Sequence, residues 1–282
     1  MYIINDNRFE KYEIINKNVM KYIVIILMLI DHMCSFFPFY STPVMIVGFI
    51  SRLTAPTMAL SIAEGFHYTR DINKYMKRMF IFSIISYFPY NLCRTADLNP
   101  FHLYPGSIVP EFFSASGTLF IDPHVFISSI NSTLAINESS VILTLFLGLL
   151  TLYLWEEVNT SKYLKLAATL VILWISAFSN WNYYIILLCL IFYYFKDDPK
   201  KLWASYVVIA LLYIFSVRIF ANPFHLAFSM DFQIHKLGMF LVPFFFLMYN
   251  GKSGTKSAFN KWFFYIFYPG HLLILGILRF II

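Results

Sequence analysis

The stretch VIILMLIDHMCSFFPF, Val24 to Phe39, places adjacent Asp31 and His32 inside an otherwise apolar run. An ionised side chain at the middle of a bilayer costs about 2.5–3.5 kcal/mol on insertion scales, so a membrane helix that keeps one has a use for it. Reading outward from this run decides the class. The chain has 282 residues, of which 59% are hydrophobic, 20% aromatic and only 13% charged, where a soluble domain carries about a quarter charged residues. Apolar runs recur along the whole length, each closed by a small charged or turn-forming cluster. The pattern predicts an all-α, polytopic integral membrane protein, a single transmembrane domain over 1–282.

Helices are expected at about 22–38, 43–65, 77–93, 138–154, 163–178, 181–195, 202–220, 236–249 and 261–280. Lys and Arg alternate between the connections, about sixteen on one side and four on the other, with Arg52 inside a span. By the positive-inside rule the N-terminal segment 1–21 is cytoplasmic and, with nine spans, the C-terminus lies outside. The net charge of +6 is thereby topological and gives no sign of nucleic-acid binding. The first residues, MYIINDNRFEKYEIINKNVMK, carry mixed charge without a short apolar core, so no cleavable signal is expected. Cys34, Cys93 and Cys189 are scattered through apolar runs and suggest neither a disulfide framework nor a metal site. Localisation in a bacterial cytoplasmic membrane follows as the expectation. The connection 94–137, on the outer side, is rich in Pro, Gly, Ser and aromatics, and its apolar residues predict a segment lying on or dipping into the membrane.

Entering near residue 22 at about 1.5 Å per residue, Asp31 and His32 reach about 15 Å depth, close to the midplane. Arg52 in the second span and His271 in the last reach a similar level. Neighbouring helical residues point about 100° apart, so Asp31 is expected to pair with Arg52, leaving His32 to face a cavity. Pro56 removes the N–H that would bond the Arg52 carbonyl, and Pro269 does the same for Tyr265. Ser51, Ala55, Ala59 and Ala63 make a small-residue face for close helix approach.

MLIDHM, then SRLTAPTMALSIAEGFHYTRDINKYMKRMFIFSIISYFPYNL, LTLFLGLL, LMYNGKSG and KWFFYIFYPGHLLIL resemble, in order, the signatures of the TraX family. Residues 155–240 add little to the likeness, and the 94–137 connection is larger than the family leads one to expect. The resemblance implies a relative of the membrane acyltransferases that draw acetyl groups from acetyl-CoA, and His32 matches their mid-membrane histidine. It also implies an acceptor such as a pilin or other peptide N-terminus; a glycan is equally compatible. In that chemistry an imidazole deprotonates an amine or hydroxyl acceptor, or carries the acetyl group itself, and positive charge meets the developing oxyanion. His32, Asp31 and Arg52 are the expected catalytic group, with His271 and Glu64 at the substrate. Arg70, Lys74, Lys77, Arg78 and Lys252 are the expected contacts to the phosphates of coenzyme A. GKSG is not a nucleotide P-loop, for it lacks the upstream glycine. The competing reading is a proton-coupled transporter built on the Asp31, His32 and Arg52 cluster.

Overall fold

The computed structural model describes residues 13–34, 42–95, 139–215, 218–222, 225–229, 233–255 and 257–281. The expected outer connection therefore lies almost wholly outside the described residues, as does Lys256. The described chain is helical throughout except for one short hairpin.

Helix α1 spans Lys17–Cys34, with the Asn16 side chain accepting from the Val19 N–H as its N-terminal cap. Helices α2 (Thr42–Ile50) and α3 (Thr54–Tyr68) are joined without a loop by a 3-10 turn, Ser51–Leu53. Pro56 explains that turn. It cannot donate to the Arg52 carbonyl, and its ring crowds the same oxygen, so the chain tightens one turn earlier. Helix α4 (Ile72–Ile85) is capped by Asp71, whose carboxylate accepts from the Lys74 N–H and is held below the usual carboxylate range by that bond. The third expected helix, 77–93, is corrected: it is two helices, α4 and α5 (Tyr87–Thr95), broken at Ser86 because Pro89 cannot bond the Ile85 carbonyl.

Next come α6 (Val141–Glu156), α7 (Lys162–Ser176), α8 (Asn182–Tyr194) and α9 (Pro199–Ile214). The helix expected over 202–220 instead ends at Ile214, and an antiparallel hairpin follows, β1 (Arg218–Asn222) and β2 (His225–Ser229). The eighth helix is also corrected. It is a 3-10 helix, Ile234–Leu241, running into α10 (Val242–Leu247). Helix α11 (Ala258–Ile281) continues through Pro269.

The centre of the packing is α3. Its small face lies against α8 and α6, where the fully buried Ala59 brings its carbonyl within 3.8 Å of the Cys189 thiol. Helix α1 closes one side of α3, and α11 packs on α5. The stretches Thr42–Tyr68 and Ala258–Leu278 are long and apolar enough to cross a membrane; Val141–Glu156, Asn182–Tyr194 and Ile234–Leu247 are apolar but shorter.

One close approach fixes the 3-10 helix against the Ser51–Leu53 turn. A Cβ on Gly238 would fall on the carbonyl oxygen of Phe49 and crowd the Cβ of Arg52. The obstacle is backbone and cannot rotate away. Gly238→Ala is therefore expected to cost about 1–3 kcal/mol, as overpacking does, seen as a lowered unfolding temperature in detergent. An unchanged transition would show that the two segments separate freely.

Candidate active site

His32, on the last turn of α1, meets His271 from the middle of α11. Nδ1 of His32 lies 2.8 Å from Nε2 of His271, and the ring planes differ by 15° with centroids 5.1 Å apart. That is an edge-to-edge hydrogen bond between nearly coplanar rings, not a face-to-face stack. Nδ1 of His271 lies 2.8 Å from the Phe267 carbonyl oxygen. A carbonyl only accepts, so His271 donates from Nδ1. In neutral His271, Nε2 must then accept, and the donor to it is Nδ1 of His32. The chain of bonds thus assigns the tautomer of both rings and leaves the lone pair of neutral His32 on Nε2. Phe267 also lies nearly parallel to the His271 ring, 17° and 4.9 Å, and holds it from the other side.

Arg52 approaches Asp31 with Nη2 to Oδ2 at 3.5 Å, a long ion pair. Ser51 ties the two more closely, donating to Asp31 Oδ1 at 2.9 Å and lying 3.2 Å from Arg52 Nη2. The remaining guanidinium donors reach the Gly48 carbonyl from Nε and the Tyr213 hydroxyl from Nη1, each at 2.9 Å. Tyr213 stacks on Trp181 at 4.3 Å and 2°, and Arg52 sits 5.5 Å over the Trp181 ring. Trp181 and Asn182 both hold positive φ, 65° and 42°, at the start of α8, an uncommon backbone for side chains of that size. The Arg52 fork is therefore fixed on every edge, and its charge cannot swing away from Asp31.

A cavity of about 500 Å³ joins these groups. Asp31, His32, Ser51, Arg52, Asn180 and Trp181 line one end, and Lys17, Lys21, Thr69, Arg78 and Lys261 line the other. Its waist is largely apolar, from Ile25 and Met28 to Met79 and Leu145. Among the described residues no group of three or more His, Cys, Asp or Glu is placed to hold a metal ion.

Comparison with known proteins settles the lineage. The family described as TraX protein matches residues 16–121 and 123–279. The chain belongs to the TraX family. A curated relative from Dichelobacter nodosus, "Probable fimbrial assembly protein FimC, serogroup H1", is 26% identical over 260 residues, covering 91% of this chain and 92% of the relative. No solved structure matches.

Within this TraX-family chain the residues singled out from sequence separate into distinct places. Asp31, His32 and Arg52 converge on one end of the cavity. His271 stands behind His32 and lines a second, apolar groove of about 570 Å³ along α11. Glu64 is buried beside the other end, engaged by Lys17 at 2.8 Å and by the Tyr249 hydroxyl at 3.0 and 3.1 Å, so its charge is already balanced. Of the expected phosphate contacts only Arg78 lines the cavity. Arg70, Lys74, Lys77 and Lys252 lie away from it, and Lys74 pairs with Asp71 at 2.9 Å. Lys17, Lys21 and Lys261, read from sequence only as topological charge, do line it. The signal was present: Lys17 and Lys21 are four residues apart and so share a face of α1. Tyr213 and Trp181, which hold Arg52, come from a part of the chain that carries no polar motif.

Proposed function

We propose that this chain is a membrane-embedded acetyltransferase that moves an acetyl group from cytoplasmic acetyl-CoA to an amine or hydroxyl acceptor. The observation that carries the reading is His32: its lone-pair nitrogen is fixed by a directed bond chain, beside an arginine, at the end of a cavity whose far end is cationic. In the proposed step Nε2 of His32 takes the acceptor's proton as the acceptor attacks the thioester carbonyl carbon. Arg52 faces the oxygen as charge gathers on it. The C–S bond then breaks, and the thiolate recovers the proton from His32 and leaves as coenzyme A. In a two-step variant Nε2 attacks the thioester carbonyl carbon first, the C–S bond breaks and the thiolate departs. The acceptor then attacks the acetyl carbon, the bond to Nε2 breaks, and the acceptor's proton neutralises the thiolate.

Membrane embedding is supported from two directions. The helices leave large apolar side chains on their outer faces, such as Leu164, Leu170 and Val171 on α7, Ile84 and Ile85 on α4, and Val208 and Leu211 on α9. Faces of that kind are covered by lipid or a partner. Two helical stretches, Thr42–Tyr68 and Ala258–Leu278, are long and apolar enough to cross a membrane. With α2–α3, α4–α5 and the 3-10 helix with α10 each taken as continuous, the described residues hold nine helical segments, the number that the charge alternation asks for. On this arrangement Lys17 and Lys261 lie toward the cytoplasm, and the donor enters there. The acceptor we favour is the N-terminus of a pilin-type subunit, since the Dichelobacter relative is named for fimbrial assembly.

His271 is a positioning residue. By accepting from Nδ1 it fixes the tautomer and orientation of the His32 ring. His271→Leu is expected to reduce coenzyme A release by about 10–100-fold, as loss of an orienting partner does, with the KM for acetyl-CoA little changed. His271→Gln, which keeps an acceptor oxygen, should recover part of the rate. An unchanged rate in His271→Leu would mean that the second ring only fills space.

A proton-coupled carrier would use the same Asp31, His32 and Arg52 groups, and vesicles separate the two. The acetyltransferase consumes acetyl-CoA supplied on the cytoplasmic face without a pH gradient. Turnover that depends on the gradient, without thioester cleavage, would overturn the proposal.

A further inference from the structure

Lys17 and Lys21 from α1, Arg78 from α4 and Lys261 from α11 come from three separate helices to one end of the cavity. A merely topological charge needs no such convergence. Asp31 is the one carboxylate among the described lining residues, and it lies at the opposite end. Glu64 pairs with Lys17 and also faces Lys21, one carboxylate against four cations. Lys21 and Lys261 rest over the rings of Phe264 and Trp262 at 5.1 and 5.7 Å, contacts that leave their ammonium donors able to meet an anion. The decisive group is Arg78: its Nε is buried with no hydrogen-bond partner, a costly state for a charged donor. A buried, unsatisfied guanidinium N–H among three lysines calls for a polyanion.

The spacing along α1 identifies what kind. His32 lies fifteen residues beyond Lys17 and eleven beyond Lys21, about 22 and 17 Å of helix rise. A small acyl phosphate has its phosphorus one atom from its carbonyl and cannot occupy both ends. A thioester at the end of a long flexible arm with several phosphates at the other end can.

We infer that Lys17, Lys21, Arg78 and Lys261 form the phosphate subsite for such a donor, with the apolar waist holding the arm and setting the thioester at His32. This rests on the acetyltransferase reading above and replaces Arg70, Lys74, Lys77 and Lys252 as the phosphate contacts.

The test is equilibrium binding of coenzyme A, and of pantetheine as the phosphate-free arm, to the full chain in detergent. Arg78→Gln and Lys261→Gln should each weaken coenzyme A by about 10-fold, the scale of one charge-assisted bond, and leave pantetheine unchanged. Coenzyme A binding to the unaltered protein should fall with salt, and inorganic pyrophosphate should displace it. Equal affinities for variant and unaltered protein would overturn the subsite, as would matching losses for pantetheine. Should the variants not fold, failure of pyrophosphate to compete on the unaltered protein overturns it. If the unaltered protein binds no coenzyme A, the acetyltransferase reading falls and the subsite with it.

Discussion

His32→Ala is expected to lower acetyl transfer by about 10²–10⁴-fold, the usual contribution of a general base. The loss should be mostly chemical. Removing the ring leaves Nε2 of His271 without its donor, which costs about 1–3 kcal/mol of stability and should still leave a folded protein. Two further readings make the prediction specific. Free imidazole should restore part of the activity, because the cavity of about 500 Å³ has room for it where the ring stood. His32→Gln, which fills the same space but cannot take a proton, should lose activity to the same extent. Activity in His32→Ala above a tenth of the original would place the base elsewhere.

Arg52→Ala should be the most destabilising single change at the site. Removing one partner of a buried ion pair costs about 3–5 kcal/mol because the other charge stays behind. Here the side chains of Arg52 and Asp31 are 16% and 29% exposed and 3.5 Å apart, so the lower end of that range applies. Added to it are the lost bonds to Gly48, Ser51 and Tyr213. Thermal unfolding in detergent reads the effect. Arg52→Ala combined with Asp31→Asn should recover part of the loss, since the stranded charge is gone. Arg52→Lys should recover little, because an ammonium cannot reach three sites that a planar fork spans. If Arg52→Ala unfolds like the unaltered protein, the pair holds nothing together.

The succession of helical segments could be read from hydropathy and charge alone, because each apolar run is bracketed by its own charged cluster. Where the reading slipped, prolines and capping groups decided the matter. Pro89 divides one expected helix into two. The hairpin after Ile214 follows the apolar run of α9 without a charged break, so the expected helix runs on to residue 220; the turn signal, Asn222–Pro223, lies just beyond it. At the site, Asp31, His32, Arg52 and His271 stood out because polar groups in apolar runs are rare. Their connections did not. The bond from His271 to Phe267, the bridging role of Ser51 and the Tyr213–Trp181 clamp depend on how helices rotate against each other, which spacing along one helix does not specify. The lysines of the cavity were masked for a different reason: positive charge at cytoplasmic helix ends is expected anyway, so its convergence on a cavity is visible only in three dimensions.

The central claim is tested most directly by incubating the purified protein with acetyl-labelled acetyl-CoA and following free coenzyme A, with and without membrane extract as a source of acceptors, for the unaltered chain and His32→Ala. The account predicts release that requires His32 and rises with extract; label left on the protein without acceptor would select the two-step route. No binding and no consumption of acetyl-CoA in either condition would contradict it.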